Sequence, residues 1–277
     1  MLKERTIGAE ITYSGIGLHT GKEVKMRLLP AESGTGIVFR RTDLPGSSEI
    51  QARPSNVGST LFCTTLAIGD VRIHTIEHVM AALAGMSIDN VIVEVDSVEL
   101  PVGDGSSEVF IDLLEEVGIK EQDTLVRSVS VDEPIWVSDK GGKYLIALPG
   151  EEFRVSYVFA SDHPAVGDQF AEFEITRKIF SKEIAPARTL AFADVIKALK
   201  ERNMGRGGNS NIAVIVGEKE ILTPLRFPNE IVRHKILDLV GDLWLLGRFK
   251  GHVIGVKSGH SLNNRLARKI EERIKRC

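Results

Sequence analysis

The segment Asn229 to Gly247, NEIVRHKILDLVGDLWLLG, constrains this chain more than any other. Its apolar residues fall in almost every direction around a helical axis, so the helix it predicts is buried rather than amphipathic. Asn229 is suited to cap the start and Gly247 to end it. Into that apolar surface are set His234, Asp238 and Asp242 at i, i+4 and i+8, with Lys235 beside them. Four-residue spacing puts all three on one stripe. Buried charges cost several kcal/mol each unless they are paired or bind a metal, so the stripe requires partners. One solution is an internal line of ion pairs among Asp238, Asp242 and Lys235. The other is a metal: His234 and Asp238, one turn apart, can present a nitrogen and an oxygen to one zinc ion.

Two ligands do not make a tight site, and a third is available in HTIEH, His74 to His78. Taken alone, that string fits the H-x-x-E-H pattern of inverted zinc peptidases, in which both histidines bind metal and the Glu is the base. A metallopeptidase using His74, Glu77 and His78 is therefore one functional expectation. Further on, SGHSLNN places His260 just after Gly259, at a strand-to-helix junction that suits either a reactive imidazole or a turn cap. Thr189, in the ART string with Arg188, offers a hydroxyl ahead of an expected helix.

A chain of 277 residues exceeds the size one core usually serves, and two domains are expected. Each half reads as strands followed by helices, which predicts an α+β fold of two similar domains, 1–123 and 124–277. In the first, strands are expected at Ile11 to Tyr13, Val24 to Leu29, Ile37 to Arg41, Leu61 to Ala67 and Asn90 to Val95, with helices at Thr75 to Ala84 and Ser107 to Val117. In the second, strands are expected at Val126 to Val137, Lys143 to Leu148, Phe153 to Phe159, Gln169 to Glu174, Ile212 to Val216 and Val253 to Val256. Its helices are expected at Phe192 to Lys200, Glu230 to Leu246 and Ser261 to Lys275. No residue-level repeat relates the halves, so duplication rests on element order.

Several function classes are excluded by composition. Net charge is −3 and the cations are dispersed apart from Arg265 to Arg276, where Leu266, Ile270 and Ile274 at helical spacing predict a packed helix with a wet face. Nucleic-acid binding is not expected. No uncharged apolar run has the length of a membrane span, so stable membrane insertion is not expected, and Met1 to Glu10 has no signal-peptide core. Two cysteines, Cys63 and Cys277, give no disulfide framework, which fits a cytoplasmic setting.

Taken together, these segments resemble the UDP-3-O-acyl-N-acetylglucosamine deacetylases, zinc enzymes that commit a sugar nucleotide to lipid A synthesis. The resemblance is carried by GIGLHTG at Gly15 to Gly21, TIEH at Thr75 to His78, LPVGDGSS at Leu100 to Ser107, ART ending at Thr189, VRHKILDLVGDL at Val232 to Leu243 and SGHS at Ser258 to Ser261. It implies Zn²⁺ held between the two domains by His78 of the first and His234 and Asp238 of the second, with His74 outside the site. It implies Glu77 as general base, His260 as general acid or oxyanion stabiliser, Thr189 as an oxyanion hydroxyl, Asp242 as the orienter of His260, and Lys235 on a polar part of the substrate. Lys143 and Lys257 would meet the nucleotide or its phosphates. Leu190, Phe192 and Ile196 would line an acyl passage, although their spacing also fits helical core packing. Ser161 stands where some relatives place an aromatic residue against the uracil.

The chemistry of the donor set agrees with those roles, because three protein ligands leave a position open as catalytic zinc sites do. The expected partner is a small acylated UDP-sugar, with no nucleic acid; oligomeric state is left open. Besides the deacetylase and the peptidase, a non-catalytic sugar-nucleotide binder with a structural metal would satisfy the same stripe. His19 and a buried Cys63 are expected to be structural, as are His163 and His252.

Overall fold

The computed structural model describes residues 2–46 and 48–275. Arg276 and Cys277, and with them the end of the expected basic run, lie outside the described residues. The architecture is α+β. Six helices are described: α1 (Glu77–Gly85), α2 (Glu108–Val117), the single turn α3 (Arg177–Ile179), α4 (Ala193–Glu201), α5 (Glu230–Leu243) and α6 (His260–Ile274).

Two larger sheets share one strand order. In the first half, the hairpin Ile11–Ile16/Glu23–Pro30 and the hairpin Ile37–Arg41/Ser48–Gln51 are joined by a late strand, Val91–Val95, inserted between them. That strand runs antiparallel to Glu23–Pro30 and parallel to Ile37–Arg41. In the second half, Phe249–Val256 is inserted in the same way between Ile135–Asp139/Lys143–Leu148 and Phe153–Phe159/Gln169–Glu174. It too is antiparallel to its neighbour on one side and parallel on the other. A long helix, α1 or α5, leads into each late strand, and another, α2 or α6, follows it. The duplication expected from element order is thus present in the sheet topology.

The two lead-in helices pack against each other at the centre. Every residue of α1 is buried, and its Ala81, Ala82 and Ala84 leave room for the larger side chains of α5. A Cβ on Gly241 would collide with the Glu77 carbonyl oxygen, so the absence of a side chain lets the two backbones touch there. Around this contact one continuous apolar core takes in Met80 and Leu83 of the first half and Ile236, Leu237 and Val240 of the second. Each such side chain contributes about 1.5–3 kcal/mol by burial. Polar clasps add direction: Arg248 grips Asp89 at 2.7 and 2.8 Å, and Trp244 Nε1–H donates to Ile88 O at 3.2 Å.

Several element expectations are corrected. Asn229 does not cap α5 with its side chain, which instead accepts from Arg233 at 2.7 Å; Gly247, at φ +83°, does end the helix after a 3₁₀ turn at Trp244–Leu246. The strand expected over Leu61 to Ala67 is only Thr65–Ile68, because Phe62 adopts φ +65° and bends the chain ahead of it. The run Val126 to Val137 is two strands, Val129–Ser130 and Ile135–Asp139. Phe192 ends a strand, Thr189–Phe192, rather than opening a helix. Ile119–Leu125, not foreseen as a strand, pairs with Lys3–Ile7, so the chain leaves the first half only after Leu125.

Candidate metal centre

α1 and α5 bring their polar residues together where they cross. His78 comes from the first turn of α1, and His234 and Asp238 come from successive turns of α5. His234 Nε2 stands 3.2 Å from Asp238 Oδ1 and His78 Nε2 stands 3.9 Å from it. The imidazoles meet edge to face with centroids 5.2 Å apart. One potential ligand atom from each of the three lies within 4.8 Å of the others, and no other such group of three occurs among the described residues.

The protonation states suit a metal. His234 Nδ1 lies 3.0 Å from Ala187 O. A carbonyl only accepts, so Nδ1 carries a hydrogen and Nε2 faces Asp238. Burial, reinforced by His234, lowers the pKa of His78 to about 3, leaving a neutral imidazole. Burial opposes ionisation of Asp238, yet His234 and Lys235 hold it well below the usual carboxylate range. The Lys235 ammonium pairs with Asp238 Oδ2, which leaves Oδ1 turned to the two histidines. Buried His78 Nδ1 has no hydrogen-bond partner among the described residues. A neutral His78 imidazole, a His234 ring whose Nδ1–H turns Nε2 to the site, and an aimed carboxylate make a set that fits a divalent metal.

Against this triad lies a second cluster, hydrogen-bonded except at the two atoms, Glu77 Oε1 and His260 Nε2, that face each other. Glu77, beside His78 on α1, accepts from Thr64 N–H at 2.9 Å through Oε2, and its Oε1 is 4.0 Å from His260 Nε2. Burial raises its pKa, with Asp238 and Asp242 adding to the effect and His260 offsetting it, to about 7. His260, at the start of α6, lies through Nδ1 2.8 Å from Asp242 Oδ2. Burial alone would favour the neutral ring, but Asp242 and Asp238 raise its pKa to about 9. Asp242 also accepts from Thr64 Oγ1–H at 2.5 Å and Asn263 Nδ2–H at 2.8 Å.

HTIEH does not act as an inverted-peptidase motif. Such a motif needs both histidines on one helical face, but Thr75 takes φ +60° and α1 begins only at Glu77. His74 therefore lies outside the helix, with Nδ1 2.8 Å from Thr65 Oγ1, and is not among the converging donors. Cys63 is buried with its thiol pKa pushed up to about 12, first by burial and then by Glu77, which is the state of a packing residue.

The remaining expected residues are more dispersed. Thr189 follows Arg188, whose guanidinium is held by buried Glu230 at 2.9 Å, and Ala187, whose carbonyl fixes His234. The ART string thus anchors the chain to the first turn of α5 on either side of the ligand helix. Lys143 and Lys257 are exposed at one end of the second sheet, beyond the cross-strand pair Tyr144–Val256. Ser161 sits in the loop after Phe153–Phe159, where its N–H donates to Asp168. Leu190 and Phe192 are half-buried against Val214, Val216 and Ile231, so they belong in part to a small secondary core, while Ile196 lies half-buried on α4.

Sequence reasoning missed the supports. Ser107 donates to His78 O at 2.8 Å, and Glu99 accepts from His19 N–H and Thr20 N–H, each at 2.8 Å, and from Thr75 Oγ1–H at 3.0 Å. The LPVGDGSS and GIGLHTG strings were the signal for Ser107 and for the loop that Glu99 ties down. Nothing in the sequence singled out Thr64 or Glu99.

A buried His–His–Asp set flanked by a carboxylate and a cationic imidazole defines a metallohydrolase type of centre. A family model described as UDP-3-O-acyl N-acetylglycosamine deacetylase matches residues 4–272. The chain is 43% identical to the UDP-3-O-acyl-N-acetylglucosamine deacetylase of Cellvibrio japonicus, over 98% of this chain and 91% of that one. It is 42% identical to the protein of the same name from Citrifermentans bemidjiense, over 99% and 90% of the two chains, and to that from Idiomarina loihiensis, over 96% and 89%. The chain belongs to the UDP-3-O-acyl N-acetylglycosamine deacetylase family.

Proposed function

We propose that this protein is a zinc-dependent deacetylase that hydrolyses the N-acetyl group of a UDP-3-O-acyl-N-acetylglucosamine, releasing acetate and the free amine for lipid A synthesis. The observation that carries this reading is the convergence of His78, His234 and Asp238 beside a carboxylate and an imidazole only 4.0 Å apart. Zinc held by those three supplies a Lewis acid for the acetamide carbonyl and brings the pKa of a water toward about 7.

The chain's own residues account for the protons. Glu77, with Oε2 tied to Thr64 N–H, keeps Oε1 free to take a proton from the attacking water. As the water oxygen bonds to the carbonyl carbon, the developing oxyanion is met by the Thr189 hydroxyl and by cationic His260. With Nδ1 committed to Asp242, His260 presents Nε2–H and passes that proton to the nitrogen as the C–N bond breaks. Lys235 keeps Asp238 aimed and has further N–H donors for a polar part of the substrate. Lys143 and Lys257 meet the nucleotide phosphates, and Leu190, Phe192 and Ile196 form one wall of an acyl passage. The two domains divide at the end of the strand Ile119–Leu125, close to the expected 123/124 boundary, with Glu77 and His78 in the first and the remaining ligands and His260 in the second. No described helix is long and apolar enough to cross a membrane, which supports a cytoplasmic site of action.

The test is acetate release by the zinc-loaded protein from acylated and non-acylated UDP-N-acetylglucosamine. At about 0.8 kcal/mol per buried methylene, loss of a long chain lowers kcat/KM by roughly a thousandfold or more. No acetate from the acylated substrate rejects the reading. Equal kcat/KM on both substrates rejects acyl recognition, and undiminished discrimination in Phe192→Ala/Ile196→Ala relocates it.

A further inference from the structure

The Thr64 side chain has no part in the chemistry above, yet among the described residues Thr64 is hydrogen-bonded to both sides of the proton-transfer cluster. We propose that Thr64 is a positioning residue that holds the base on α1 and the acid–orienter pair on α5 and α6 in one register, an inference that rests on the deacetylase reading.

The main chain of Thr64 serves the base. Its N–H donates to Glu77 Oε2 at 2.9 Å, and its carbonyl accepts Ile76 N–H at 3.3 Å, just ahead of the first residue of α1. Residue 64 is thereby fixed to the end of the helix from which Glu77 projects. The side chain serves the acid. Oγ1 is 2.5 Å from Asp242 Oδ1 and 3.2 Å from His260 Nδ1, and the residue is only 1% exposed, so water does not compete for these contacts.

Proton counting assigns the bonds. A threonine hydroxyl has one hydrogen, and an ionised carboxylate can only accept, so that hydrogen lies toward Asp242. Oγ1 then has only lone pairs to offer His260. The hydrogen between them belongs to His260 Nδ1, shared between Asp242 Oδ2 at 2.8 Å and Thr64 Oγ1. The hydroxyl therefore locks the Asp242 carboxylate about its own axis and confirms the ring in the Nδ1–H form, with Nε2 directed to the Glu77 side. Asn263 Nδ2–H completes the shell at 2.8 Å from Oδ2. Valine has the same shape as threonine and neither donates nor accepts, whereas serine keeps the hydroxyl.

Thr64→Val and Thr64→Ser are to be compared with wild type as zinc-loaded full-length protein. For Val, kcat falls by about ten- to a hundredfold, the range for groups that orient a reacting residue, with KM and zinc content little changed. An Asp242 free to rotate supports the imidazolium less, so the basic limb of the pH profile moves to lower pH. Ser restores both kcat and the limb. Nitrogen-15 spectra of the His260 ring, read without turnover at pH above its pKa of about 9, where the ring is neutral, show the Nδ1–H form in wild type and Ser and a tautomer mixture in Val. A Val variant with wild-type kcat, limb and ring spectrum overturns the proposal, and so does a Ser variant as impaired as Val, which would reduce Thr64 to packing. A wild-type protein that releases no acetate defeats the deacetylase reading alone, since the ring spectra still decide what Thr64 does to His260.

Discussion

The two halves of the molecule are the same sheet built twice and then put to different use. Each joins two hairpins through a late central strand, and each leads into that strand through a helix that contributes to the candidate metal centre. They part on their outer faces. In the first half, Arg27, Glu94, Arg40 and Glu49 form a cross-strand ladder of ion pairs at 2.6, 2.7 and 2.6 Å. In the second, the corresponding rows read Trp136, Ile146, Ile254, Ser156, Glu172 and Tyr144, Val256, Val158, Phe170, apolar along most of their length, with ion pairing confined to the edge where Arg154 meets Glu172 at 2.9 Å. They part again in the segment between the fourth strand and the ligand helix. The first half places a small three-stranded sheet there, with Thr64 at the bend before Thr65–Ile68; the second places the ART string and α4. The common frame thus supplies the residues of the candidate metal centre, and the inserted segments supply their supports.

If the frame supplies the ligands, both halves are needed equally. His78→Ala and His234→Ala each lose zinc and, with it, several kcal/mol of transition-state stabilisation, about a thousandfold in rate or more. His74→Ala, outside the frame, keeps its zinc. Metal analysis decides: zinc retained by either ligand variant, or lost from His74→Ala, breaks the comparison.

The proposed mechanism divides proton transfer between halves as well. Glu77→Gln and His260→Gln should each lower kcat by roughly 10²- to 10⁴-fold while binding zinc normally. In the proposed mechanism His260 acts as the protonated form, present below its pKa of about 9. The wild-type rate therefore falls as pH rises through about 9, and the His260 variant loses that limb. A limb that survives in the variant belongs to another group.

Gly241 is the point where the frames touch. Gly241→Ala forces a methyl against the Glu77 carbonyl and should cost about 1–3 kcal/mol in denaturant unfolding, the range for overpacking. A neutral substitution would mean that the helices are free to separate.

The smallest effects lie on the outer faces. Burial works against ionised Glu94, but Arg27 and Arg40 outweigh it and lower its pKa. Its contribution to stability is full above the ordinary carboxylate pKa and fades as pH falls through the lowered value. Arg40→Ala should cost about 1 kcal/mol, less in high salt, whereas Trp136→Ala on the uncovered second face should stay within about 0.5 kcal/mol at any salt. Chemical denaturation with and without added salt reads both. A Trp136 variant that costs more than the Arg40 one would reverse the contrast.

What the sequence disclosed follows the range of the interactions involved. Lys143–Leu148, Phe153–Phe159 and Gln169–Glu174 were legible to the residue because their patterning and turn signals are local. The polar stripe on α5 was legible because charges in an apolar helix demand partners wherever those partners lie. HTIEH misled as a string because one threonine at positive φ undoes its helical spacing. Thr189–Phe192 was hidden because its strand character comes from pairing with Ala213–Val216. Thr64 was hidden more deeply still: its hydroxyl meets a carboxylate 178 positions away, and no local pattern marks such a contact.

The late central strand has a kinetic consequence. During synthesis the strands Lys143–Leu148 and Phe153–Phe159 must wait, with inner edges unpaired, until Phe249–Val256 has been made. Contacts so distant along the chain slow folding and leave strand edges open to wrong partners in the interval. Because α5 precedes the awaited strand directly, the ligands His234 and Asp238 reach their places only as the second sheet closes. A metal ion captured by all three ligands therefore reports a chain that has finished folding.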